Sequence, residues 1–141
     1  MALIILISLL IVISFIDLEH LVIHDLLVLM GIAAGLAYSM LRGHITDSLL
    51  GICFGFLFMI SLEVVARIVL KKEALGDGDV KLVIMLGAFL GFEKMMFSIA
   101  LSSILGSVIA ITLILFKRLK REDYIPFAPF LALGAVVAAV L

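Results

Sequence analysis

Two aspartates stand where a hydrophobic chain has least use for them. Asp79 closes the tetrad Gly76-Asp77-Gly78-Asp79 and abuts an apolar stretch that starts at Val80. Asp17 follows the apolar run 2–16 in the same kind of position. A carboxyl group beside hydrocarbon loses hydration, so it needs a chemical task or a structural one. If the two meet, one holding a proton and the other ionised, they form the pair an aspartyl protease uses. The ionised member takes a proton from water and the neutral one donates to the scissile carbonyl. The helix ends beside them are of opposite polarity: Asp17 ends a helix, Asp79 begins one. Gly76 and Gly78 are expected to supply positive φ and close backbone approach for a strand-like substrate. A plainer account is also open, in which glycines punctuate a turn and Asp79 caps a helix. Asp77 reads as a solvated loop residue.

The solvent around these residues is lipid. Of 141 residues, 66% are hydrophobic, and the mean hydropathy is +1.44. A water-soluble fold of this size cannot hide so much apolar surface. The net charge of −1 argues against a nucleic-acid partner. Cys53 is the single cysteine, so no intrachain disulfide and no zinc-type CxxC pair exists; it reads as a small buried hydrophobe. The first apolar run lacks a basic leader and a small-residue cleavage site, and is expected to be a retained span. The expected organisation is one integral-membrane domain, residues 1–141.

Six apolar segments are expected to be helices: 2–16, 26–41, 49–70, 80–92, 95–116 and 125–141. Asp47 is a candidate cap for the third, and Pro126 suits the first turn of the sixth. The fourth is short, about 20 Å as helix. Charge decides its role. If it spans, the loops at one end, with their flanks, hold Arg67, Lys71, Lys72, Lys81, Lys117, Arg118, Lys120 and Arg121, against Arg42 and Lys94 at the other. The excess of positive charge on the cytoplasmic side then favours an all-α, six-span protein with both termini outside and both aspartates facing the cytoplasm. Small residues four apart (Gly31 and Gly35, Gly51 and Gly55, then Ser102, Gly106 and Ala110) let helices approach closely. Packing within the chain is the expected use, a homodimer face the alternative.

Three motifs carry a resemblance. The stretch Asp17-Leu18-Glu19-His20-Leu21-Val22-Ile23-His24-Asp25-Leu26 resembles the first motif of bacterial type IV prepilin peptidases. Gly76-Asp77-Gly78-Asp79-Val80-Lys81-Leu82 resembles their GxGD motif, and the segment from Ile125 through Pro126, Phe127, Ala128, Pro129 and Phe130 to Ala132 resembles their final-span signature. The motifs come in family order along essentially the whole chain. GxGD is shared with presenilin-type intramembrane proteases, a related alternative. The resemblance implies an inner-membrane aspartyl endopeptidase that removes the basic leader of prepilins and pseudopilins. It would cut after a glycine at the cytoplasmic face, without metal or cofactor. The catalytic pair carries over to Asp17 and Asp79, with Gly76, Gly78, Asp25 and Lys81 shaping the site. Many relatives also carry a CxxC-bearing methyltransferase region. This sequence has none, so a peptidase-only form is expected. His24 stands where the family often has proline.

The remaining polar residues have plainer readings beside these. Asp25 is a candidate N-cap of the second span. Lys81 can anchor at lipid phosphates or bias a nearby carboxylate. Glu63 and Arg67 are spaced for a helical salt bridge. His20 and His24 would share a face on a helix, and with the aspartates could hold a metal. That makes a small ion or metal transporter using Asp17, Asp79, His20 and His24 the alternative function. A non-catalytic membrane assembly subunit is the third.

Overall fold

The computed structural model describes residues 1–71, 73, 76–120 and 124–141. Lys72 and Arg121, two of the basic residues in the charge argument, lie outside the described residues. The regular elements among the described residues are all helices: α1 (Ala2–His20), α2 (Asp25–Arg42), α3 (Ile45–Leu70), α4 (Asp77–Leu115) and α5 (Ala128–Val140). The first four are long and apolar enough to cross a membrane, whereas α5 has 13 residues. Large apolar side chains such as Leu29, Leu57, Val65 and Ile68 point outward. An aqueous exterior would penalise that surface and hydrocarbon would not. The chain is a multi-pass membrane protein.

The helix α4 has 39 residues, which as a straight rod would reach about 58 Å, nearly twice a bilayer's hydrocarbon core. It is not straight. Gly91 breaks it at φ 75° and ψ −177°, both outside the helical range. Val83 and Met95 flank the break, and both lie against the same Gly55 of α3. A continuous helix would hold them about 18 Å apart along its axis. The two limbs therefore fold back on each other. The expected fourth and fifth segments exist, but they meet at Gly91 with no intervening loop.

Asp47 holds this reversal. It was expected to cap its own helix; instead His44 is the N-cap of α3, and Asp47 sits in the first turn. Its Oδ1 accepts the Phe92 backbone N–H at 3.3 Å, satisfying a donor that the break would orphan. Its carboxyl also fills the space where a side chain on residue 91 would begin.

Glycines line the seams around α4. Gly31 receives Met85, and Gly35 faces the backbone of Ala88. Gly51 lies against the backbone of Gly87 and Gly91, while Gly55 receives Val83 and Met95. Gly134 of α5 meets Ser98 and Ser102. The small-residue faces of α2 and α3 are thus used within the chain. Between them Leu82, Val83, Met85, Leu86 and Ala88 are wholly buried.

Two further expectations fail on helix phase and helix start. Cys53 is exposed, because α3 buries the stripe Ser48, Gly51, Gly55 and Met59. The proline in the first turn of α5 is Pro129, since α5 begins at Ala128 and leaves Pro126 in the preceding segment.

Gly43 provides an internal control for Gly91. It too has positive φ, but an added Cβ there would meet nothing. Gly43→Ala should cost about 1 kcal/mol from backbone strain alone. Gly91→Ala also displaces Asp47 and its bond to Phe92, and should cost about 2–4 kcal/mol. Thermal unfolding in detergent measures both; equal losses would show that the Asp47 contact contributes nothing.

Candidate active site

Helix α1 buries Leu6, Leu10, Ile13 and Asp17, alternating steps of four and three that trace one face. Asp17 is the last member of this apolar stripe, so the phase of the helix turns its carboxyl into the bundle, where it is 3% exposed. What awaits it there is the start of α5. The Ala128 N–H donates to Asp17 Oδ2 at 3.3 Å. Ala128 is the first residue of α5, so the positive end of that helix faces the carboxyl. As expected, Asp17 lies in the last turn of its own helix and Asp79 in the first turn of its own, but the start of α5 adds a second helix N-terminus at Asp17.

Asp79 is the third residue of α4, behind the N-cap Gly76, and is 5% exposed. Its N–H donates to the Gly76 carbonyl at 3.0 Å. The Gly76 backbone in turn hydrogen-bonds the Asp79 carboxyl. This is half of a capping box, with the acid at the third position reaching back to the cap. Asp17 and Asp79 line one cavity of about 260 Å³ and interact electrostatically. Residues 62 positions apart in sequence are thus brought to one place by α1 and α4.

The glycines of the tetrad are needed for room, not for positive φ. Gly76 has φ −74°, an ordinary value. A Cβ on Gly76 would come within 2.9 Å of the Tyr124 hydroxyl. A Cβ on Gly78 would sit 2.8 Å from Cβ of Ile23, in the α1–α2 connection. Two segments remote in sequence press on the tetrad, and a side chain at either position would push them off. Asp77 is exposed, opens α4 rather than lying in a loop, and borders the cavity.

Asp25 and Lys81 also reach the cavity, as partners. The Lys81 Nζ lies 2.6 Å from Asp25 Oδ1, joining the first turn of α2 to the start of the second turn of α4 at the cavity mouth. Asp25 is not the N-cap of α2; that is His24. Both side chains are well exposed, so the pair adds no more than about 1 kcal/mol of stability. The histidines do not share a helical face, because α1 ends at His20 and Leu21 turns left-handed, at φ 53°. His20 lies 3.9 Å from Glu19, both exposed. Among the described residues no three His, Cys, Asp or Glu side chains gather as a metal would require. The expected Glu63–Arg67 pair forms at 2.5 Å, away from the cavity.

Tyr124 was not foreseen. It borders the cavity, and burial, then the charges of Asp79 and Asp17, push its phenol above the ordinary value. Its only sequence cue is adjacency to the segment beginning at Ile125.

Comparison with known proteins gives a consistent result. The pattern of the type IV leader peptidase family matches residues 4–111, a stretch that includes Asp17 and Asp79. The prepilin leader peptidase/N-methyltransferase of Aeromonas salmonicida is 34% identical over 131 residues, covering 92% of this chain and 45% of that protein. The protein of the same name from Pseudomonas aeruginosa is 34% identical over 127 residues, covering 89% and 44%. That from Myxococcus xanthus is 37% identical over 113 residues, covering 79% and 34%. The chain spans about half the length of the curated relatives it matches, or less. No solved structure matches it at a significant level.

The contact at Gly78 can be isolated by a double-mutant cycle. Gly78→Ala should destabilise by about 1–3 kcal/mol through overpacking against Ile23. In an Ile23→Ala background the same substitution should cost less than half as much. Equal costs in the two backgrounds would mean that the requirement for glycine lies elsewhere than Ile23.

Proposed function

The chain belongs to the type IV leader peptidase family, and from that premise we propose that it is a membrane aspartyl endopeptidase whose catalytic pair is Asp17 and Asp79. One observation carries the assignment. Two carboxyls from separate helices are buried on one cavity, and each is met by a backbone N–H from a helix start. A stabilising ion pair would need a cation between them, yet among the described residues that line this cavity the one lysine, Lys81, is paired with Asp25.

The chemistry follows from the pair. Two buried carboxyls on one cavity share a proton, since like charges at close quarters resist joint ionisation. The ionised member accepts a proton from water as the water oxygen bonds to the scissile carbonyl carbon. The neutral member delivers its proton to the carbonyl oxygen. Collapse of the tetrahedral adduct breaks the C–N bond, and the proton taken from water goes to the leaving amine. The net change is addition of one water across one peptide bond, after which the pair again shares one proton.

The names of the relatives support a substrate of prepilin type; the motif resemblance is what extends this to pseudopilins and to a cut after the leader glycine. The reversal at Gly91 supports two crossings by α4, and α5 adds a sixth. With the basic residues on the cytoplasmic side, both termini lie outside, and the active site faces the cytoplasm in the inner membrane. Residues 1–141 work as one catalytic domain within the lipid bilayer. Asp25, Lys81, Gly76 and Gly78 shape the site: the first two tie α2 to α4, and the glycines admit Ile23 and Tyr124. The Gly31–Gly35 and Gly51–Gly55 faces are occupied within the chain, which removes the main argument for a homodimer.

Cleavage of a co-expressed panel of prepilin-like substrates tests the assignment. Wild type should cut after the leader glycine with or without chelator. Asp17→Ala and Asp79→Ala should each fall by about a thousandfold or more while still folding. Retention of cleavage by either variant would remove that residue from the pair.

A further inference from the structure

The segment leading into α5 touches both halves of the site. At one end the Ala128 N–H donates to Asp17. Four residues earlier, Tyr124 lays its hydroxyl on Gly76, 2.9 Å from where a Cβ would stand. The Asp79 Oδ2 is 3.8 Å from that same point. The hydroxyl and the Asp79 carboxyl therefore both border the space a side chain on residue 76 would need, on a cavity lined by both aspartates.

The phenol is a donor at working pH. Burial and the charges of Asp79 and Asp17 resist its ionisation, so it keeps the O–H that a phenol can donate. The residue as a whole is 49% exposed, so it is not locked into the core and its hydroxyl is reachable from the cavity. Catalysis gives the hydroxyl a use. During attack by water the carbonyl oxygen gains negative charge, and fixed donors aimed at that atom stabilise it most. The pair supplies one such donor, the protonated carboxyl, while its other member is occupied with the water.

We propose that Tyr124 is a third catalytic residue, whose hydroxyl donates a hydrogen bond to the scissile carbonyl oxygen of the substrate as the tetrahedral adduct forms. No proton is transferred through it. This rests on the aspartyl peptidase reading and deepens it: Gly76 is glycine because the hydroxyl must reach past it. Gly76→Ala and Tyr124→Phe then remove the same donor, one by displacement and the other by deletion.

The test uses the full chain and a substrate that wild type cleaves. Tyr124→Phe keeps the ring and should lower kcat by about 100-fold, with KM held within about threefold and the unfolding temperature unchanged. Gly76→Ala should lower kcat comparably, and the double variant should be no slower than the slower single one, because the shared donor can be lost only once. An unchanged kcat in Tyr124→Phe overturns the proposal. So does a loss confined to KM, one that tracks a lowered unfolding temperature, or additive losses in the double variant. Asp17→Ala and Asp79→Ala run alongside. If they cleave as wild type does, the aspartyl reading falls; if they fail and Tyr124→Phe does not, only the role of Tyr124 falls.

Discussion

Two carboxyl groups inside an apolar bundle are the constraint to which the rest of this protein answers. Each is nearly sealed from solvent, and a buried acid without partners is costly. The fold meets the cost with backbone. The Gly76 backbone serves Asp79, and the Ala128 amide serves Asp17. Both donors stand at helix starts, where N–H groups lack intrahelical acceptors. A cationic side chain would also satisfy these carboxyls, but it would hold both ionised, which the proposed mechanism does not allow. Amides stabilise without adding a full charge.

Bringing those helix starts together depends on close packing without large side chains. The first limb of α4 runs between α2 and α3, which meet it through Gly31, Gly35, Gly51 and Gly55. In lipid the hydrophobic effect does not drive one apolar helix onto another, so close contact must come from shape. Glycine supplies that shape at the seams, and at residue 91 it supplies a conformation as well. The left-handed φ there, with Asp47 binding the Phe92 N–H, returns the second limb alongside the first. One residue thus places the end of α4 near the start of α5, from which Ala128 and Tyr124 reach the site.

Much of the fold was legible in the sequence, for a simple reason. Apolar runs of span length have one stable outcome in a bilayer, because every backbone group must be satisfied within the helix. The helices appear where hydropathy puts them, with ends shifted by a few residues. The Glu63–Arg67 pair also appears, since its spacing suffices within one helix. The roles of individual polar residues were not legible wherever the partner lay on another helix. Asp47 and Asp25 were read as caps of their own helices; one caps the second limb of α4, the other pairs with Lys81. Gly76 and Gly78 were read through their backbone freedom, but their role is to leave room for Tyr124 and Ile23. Cys53 was read as buried because its run is apolar, although helical phase turns it outward.

By itself the sequence determined that this chain lives in lipid as a set of helices, and that Asp17 and Asp79 stand at helix ends where solvation is poor. Those are local properties, set by composition and by the 1.5 Å rise of a helix. Only the tertiary structure decided that the two carboxyls share one cavity, that α5 turns its N-terminus on Asp17, and that the Tyr124 hydroxyl borders the notch at Gly76. Each of these joins residues tens of positions apart. Such contacts are selected by packing at the glycine seams and the reversal at Gly91, and no local pattern encodes the partner.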